Sequence, residues 1–137
     1  MNYLVDTNIL SETAKSAPNG KVTEWLRDHA ENSYISSITL GELIYGIERL
    51  PQGLKRRRLE AWLQSALDQL EGRVLAFNSR VAQEWGRLVA EMEARGQRLP
   101  VADSQLAATA RRHGLTVVTD NVDDFKGGGV KVLNPFD

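Results

Sequence analysis

Residues 1–10 read MNYLVDTNIL. Tyr3-Leu4-Val5 has the character of a short buried strand, and the chain passes from it directly into Asp6-Thr7-Asn8. A carboxylate followed by two small polar groups at a strand end has two explanations. Asp, Thr and Asn cap helices and make turns well, because their short side chains satisfy backbone amides. A carboxylate at the end of a strand can also hold a metal ion. Taken alone, the stretch is most simply a cap.

Outward from this stretch, short β-rich runs alternate with helical patterns. Helix is expected over Ile9–Lys15, broken by Pro18-Asn19-Gly20, and over 21–31, where Val22, Trp25 and Leu26 share a side. In TLGELIYGIERL (39–50), Leu40, Leu43, Ile44 and Ile47 form a helical stripe that stops before Pro51. Further helices are expected over 54–72, 81–96 and 101–114, with Gly114 as the last one's stop signal. Strands are expected at SYISS (33–37), RVLAF (73–77), LTVVT (115–119) and VKVLN (130–134). Strands separated by helices predict an α/β fold with a mainly parallel five-stranded sheet, flanked by helices on both faces. No repeat, linker or low-complexity segment divides residues 1–137, so one domain is expected. Ligands of open parallel sheets sit beyond the carboxyl ends of the strands.

Bulk properties narrow the field without choosing a function. The chain has 137 residues, 26% charged and 42% apolar, which is a globular balance. It has no cysteine, which excludes disulfides, zinc–thiolate sites and cysteine nucleophiles. No apolar run approaches the ~20 residues of a membrane span. Asp6 interrupts the only N-terminal stretch that could resemble a signal peptide, so a cytosolic protein is expected. The net charge of -1 gives no global sign of nucleic-acid binding.

Three further acidic positions follow predicted elements. Thr39-Leu40-Gly41-Glu42 matches a capping box, in which Thr39 and Glu42 satisfy a helix's first amides reciprocally. Gly41 and Gly46 weaken that helix by roughly 1 kcal/mol each, which a close approach by backbone or ligand would justify. Asp103 lies in the first turn of its helix, where it complements the positive end. Ala107 and Ala110, one and two turns on, would let that helix lie tight against the sheet. After the fourth strand come Asp120, Asn121, Asp123 and Asp124, an acidic loop. Three strand ends of a parallel sheet would lie side by side and deliver these oxygens to one rim. Gathered carboxylates repel one another unless a divalent cation intervenes, and Mg²⁺ and Mn²⁺ take carboxylate and water oxygens. His29 and His113 fall late in helices and are expected at the surface.

Lys55-Arg56-Arg57-Arg58 opens the long helix, either as a solvated face or as a grip on the phosphates of a nucleic acid. Arg111-Arg112 suits a helix C-terminus and needs no ligand. Trp25, Trp62 and Trp85 belong to amphipathic helices, in core or interface positions.

YLVDTNIL, ISSITLGELIYGI, PVADSQLAATARRHGLTVVTDNVDDF and KVLNPFD together, in this order and spacing, resemble the PIN-domain family, over essentially the whole chain. More narrowly, they resemble the VapC/FitB-type toxins of bacterial toxin–antitoxin pairs. The resemblance implies a Mg²⁺-dependent endoribonuclease, with Mn²⁺ as a substitute. It carries the acidic site to Asp6, Glu42 and Asp103, with Asp6 and Asp103 as direct metal ligands. The family's fourth acid falls on Asn121, which can ligate through its carbonyl or a water, unless Asp120 or Asp124 substitutes. Thr7 and Asn8 correspond to polar residues that orient Asp6 or the attacking water. A VapB-type antitoxin and a homodimer, assembled as a heterotetramer or larger, are also implied, and the apolar side of 59–70 is a candidate surface for either contact. Two rival classes remain at this stage: a PIN-like binding module that has lost its chemistry, and a DNA nuclease or phosphatase using the same acids.

Overall fold

The computed structural model describes residues 1–137. Strands β1 (Tyr3–Val5), β2 (Ser33–Ser36), β3 (Val74–Leu75), β4 (Thr116–Val118) and β5 (Val132–Leu133) form one parallel sheet in the order β3-β2-β1-β4-β5. Helices α1 (Thr7–Glu12), α2 (Gly20–Asp28), α3 (Ser37–Glu48), α4 (Leu54–Leu70), α5 (Ser79–Ala94) and α6 (Val101–His113) cover both faces. No helix is long and apolar enough to cross a membrane.

The period-2 alternation of a strand divides the core into two layers. Tyr3, Val5 and Val118 face Ile9, Leu10, Val22, Leu43, Ile47, Leu63 and Leu70, all from α1–α4. Leu4 and Val117 face the other way, toward Val81, Leu88 and Met92 of α5 and Leu106, Ala107 and Ala110 of α6. The alanines are fully buried, so α6 lies close to the sheet. Leu4 is also fully buried, and Leu4→Ala would cost about 2–5 kcal/mol through lost contacts and a cavity. Gly114 ends α6 in the left-handed region at φ +68°, its N–H bonded to the Ala110 carbonyl, a conformation that favours glycine.

Four details differ from the sequence reading. The two edge strands, β3 and β5, shrink to two residues each. Ile44 turns outward, 43% exposed, because Thr39, Leu43 and Ile47 form the buried stripe of α3. Leu63 is buried in the core and Leu59, Trp62 and Leu67 pack against it, so most of the apolar side of 59–70 is consumed inside the chain rather than presented for docking. His29 is half-buried, stacked on Trp25 at 4.3 Å and edge-on to Tyr3, whereas His113 is exposed.

Candidate active site

The chain adds β2 and then β3 on one side of β1, then crosses over to add β4 and β5 on the other. The strand ends beside β1 therefore form the topological switch point, where loops diverge and leave a crevice. An open cleft of about 260 Å³ lies there, lined by Asp6, Thr7, Asn8, Glu42, Asp103 and Asn121.

Asp6 is placed by the ladder. Its N–H donates to the Val118 carbonyl at 2.9 Å, continuing the β1–β4 pairing one residue beyond the strands. The same register sets Thr119 beside it, and the Thr119 hydroxyl donates to Asp6 Oδ2 at 2.8 Å. Oδ1 accepts from the Thr7 N–H at 2.7 Å and so caps α1. Cap and site residue coincide. Burial pushes the Asp6 carboxyl above the usual carboxylate range, and Glu42 and Asp120 push the same way; the Thr119 and Thr7 donors offset only part of this.

Glu42 does not close a capping box. The N-cap of α3 is Ser36, whose Oγ accepts from the Thr39 N–H at 3.0 Å, while Thr39 is buried one turn inside the helix. The helix starts three residues earlier than the capping-box pattern implies because β2 runs into it without a loop. Glu42 is thereby free to reach across the cleft, and the Thr7 hydroxyl donates to its Oε1 at 2.8 Å.

Asp103 comes from the first turn of α6, and no protein donor reaches its carboxylate. Desolvation, then the charges of Asp6, Asp124 and Glu42, push it up to about 6. The loop after β4 sorts its own residues. Asp123 pairs with Lys126 at 2.8 Å, Asn121 lines the cleft, and Asp120 and Asp124 lie near enough to act on Asp6 and Asp103. The Asn121 N–H donates to the Thr119 hydroxyl at 3.0 Å, so one threonine holds both Asp6 and the loop. The sequence reading did not single out Thr119; its signal is a threonine standing directly after the strand next to β1.

The basic run is split. Arg56 donates to the Glu48 carboxylate and to the Glu48 and Leu50 carbonyls, with its side chain 13% exposed, so it clamps α4 onto the end of α3 and is engaged within the chain. Lys55, Arg57 and Arg58 are exposed. Arg111 bridges Glu84 and Glu91 of α5.

The donor set is all oxygen, which suits a hard divalent cation. Asn8 turns its Nδ2 toward Asp6 Oδ2 and Thr119 Oγ1, each at 3.4 Å, which leaves its buried Oδ1 without a partner. A buried, unsatisfied carbonyl oxygen beside a carboxylate is free to accept from a water or to ligate a cation. No three Asp, Glu or His side chains close to ion-clasping distance. The carboxylates line an open cleft rather than a closed cage, which leaves room for water around any cation held there.

The PIN domain family model matches residues 3–127. The chain is 37% identical to Toxin FitB of Neisseria gonorrhoeae, covering 97% of each protein, and 33% identical to VapC ribonuclease Y4jK of Sinorhizobium fredii, covering 98% and 97%. The crystal structure of FitAcB from Neisseria gonorrhoeae superposes with a TM-score of 0.91 at 37% identity, covering 98% of both chains. The switch-point cleft, the five-stranded parallel sheet and these matches agree: the chain belongs to the PIN domain family, in its VapC/FitB group.

Proposed function

We propose that this chain is a metal-dependent endoribonuclease and the toxin of a toxin–antitoxin pair, hydrolysing RNA phosphodiester bonds with water. The observation that carries the reading is the convergence of Asp6, Glu42 and Asp103, from three separate elements, on one cleft with no internal cation. A similar protein named VapC ribonuclease and another named Toxin FitB support substrate and role. Asp6 and Asp103 would hold Mg²⁺, or Mn²⁺ in its place. When bound, the ion supplies the missing positive charge, lowers the pKa of water and stabilises charge on the phosphate. Thr119 and Asn8 orient Asp6. The Thr7 hydroxyl engages Oε1 of Glu42, which leaves Oε2 to accept the proton of the attacking water. Asn121 offers a neutral oxygen where an acid would otherwise stand, and Asp120 and Asp124 add charge around it. A cognate VapB-type antitoxin, homodimerisation and a cytoplasmic location complete the proposal.

The test is purified protein with labelled RNA and labelled DNA, with and without Mg²⁺. RNA cleavage that needs Mg²⁺ and disappears in Asp103→Asn is expected. Undiminished cleavage by folded Asp103→Asn, or cutting of DNA alone, overturns the reading.

A further inference from the structure

α3 carries more than Glu42. Glu42, Tyr45 and Arg49 recur at i, i+3 and i+7, which sets them on one stripe of the helix, roughly 10 Å long at 1.5 Å per residue. Glu42 lines the carboxylate cleft at one end of the stripe. Tyr45 is 66% exposed, and the Arg49 guanidinium lies over its ring, 5.8 Å from the centroid. Gly41 and Gly46 stand on either side of the stripe, and a Cβ at either would meet nothing within 4 Å. Packing within the chain therefore does not require these glycines, although glycine weakens a helix interior. They leave clear space around the ring. Beyond Arg49, the Arg56 clamp to Glu48 holds the start of α4 against the end of α3. That corner presents Lys55, Arg57 and Arg58, all exposed and none in an ion pair within the chain.

An exposed aromatic ring with a guanidinium over it, on the helix that runs from the carboxylate cleft to the corner bearing the unpaired cations, has the chemistry of a single-strand platform. Bases stack on such rings whatever their sequence, and the cations follow the phosphates. Ile44 and Leu54 at the margin are also exposed, and a protein partner seated on them is the competing outcome that the experiment below separates. We propose that Tyr45 and Arg49 form a nucleotide subsite, in which an unpaired RNA base stacks on Tyr45 and the adjoining phosphate pairs with Arg49 while the scissile phosphate occupies the carboxylate cleft. The subsite rests on the nuclease reading and extends it to substrate form: single-stranded rather than duplex RNA.

The experiment is fluorescence anisotropy of a short labelled single-stranded RNA in EDTA, titrated with wild type, Tyr45→Ala, Tyr45→Trp and Arg49→Ala. Sedimentation of each variant and Mg²⁺-dependent cleavage are measured in parallel. Tyr45→Ala should weaken binding roughly tenfold and Tyr45→Trp should retain it. Arg49→Ala should lower the salt dependence by about one phosphate contact. Wild type that does not bind, or Tyr45→Ala that binds within about twofold of wild type, overturns the subsite. So does a Tyr45→Ala effect confined to oligomeric state, which would make this face a protein interface. Tyr45-dependent binding without any cleavage leaves the subsite standing and removes the nuclease reading instead.

Discussion

The two ends of α1 carry two carboxylates with the same small exposure to solvent, Asp6 and Glu12, each 7%, but Asp6 lies deeper among protein atoms and loses more of its hydration. Their acidities shift in opposite directions. The Lys15 ammonium at 2.8 Å and the Asn19 N–H at 2.9 Å hold the Glu12 carboxyl below the usual range. Asp6 has more donors, from Thr7, Thr119 and Asn8, and yet is pushed up by burial. Hydrogen bonds aim a carboxylate, but they do not cancel its charge once water is withdrawn. Glu12 is neutralised from within the chain and serves the fold. Asp6, with Glu42 and Asp103 around it, has no cation of the chain lining its cleft.

Substitutions at Asp6, or at Asp103 beside it, and at Glu12 should therefore have opposite effects. Asp6→Asn or Asp103→Asn should reduce cleavage by at least about a hundredfold, beyond the 10–100-fold typical of residues that merely support a metal ligand. The metal-free melting temperature of each should equal or exceed that of wild type, because repulsion is relieved. Glu12→Gln should do the reverse, lowering the melting temperature while the folded enzyme cuts RNA within a few-fold of wild type. Thermal melts paired with cleavage rates check both.

A smaller effect concerns Thr119, which holds Asp6 and the Asn121 loop at once. Thr119→Val keeps shape and removes the hydroxyl. It should lower kcat about tenfold in a folded protein, and Thr119→Ser should restore most of it. A change in KM alone, with kcat intact, would show that Thr119 does not position the reacting groups.

The smallest effect is a pH dependence. Folded Asp103 titrates at about 6 against an ordinary 3.8, so the folded state holds an extra proton between those values. Its contribution to stability is present at low pH and is lost as pH rises through that window. In metal-free denaturation curves, the advantage of Asp103→Asn over wild type should grow between about pH 4 and pH 6 and level off above. The carboxylate is partly exposed and screened, which limits the gain to the order of 1 kcal/mol. Parallel curves for the two proteins would contradict this.

Much of this arrangement was legible in the sequence because it is local or periodic. Tyr3–Val5 alternates between layers, the Ala107 and Ala110 spacing fits a helix close to the sheet, and Gly114 stops α6. Strand ends delivering acids to one rim follow from the parallel order once the helices are recognised. What sequence hid was pairing across elements. Thr39-x-x-Glu42 has the capping pattern, but Ser36 sits one turn earlier at the true strand–helix junction, and two competing caps cannot be ranked without knowing where β2 ends. Arg56 belongs to a visible basic run, yet Glu48 and two carbonyls across a turn claim it. The 59–70 face has the pattern of an interface because periodicity marks an apolar stripe without saying which partner covers it; here the partner is the chain's own sheet and α1, with Trp62 Nε1 donating to Thr13 Oγ1 at 2.9 Å.

The central claim is that the rim carboxylates await a cation that the chain does not supply. Its most direct measurement is the melting temperature at neutral pH as Mg²⁺ is raised, for wild type, Glu12→Gln and Asp103→Asn. Binding to the folded state alone should raise the melting temperature of the first two progressively and leave Asp103→Asn unmoved. An equal rise in Asp103→Asn, or none in wild type, would contradict the account.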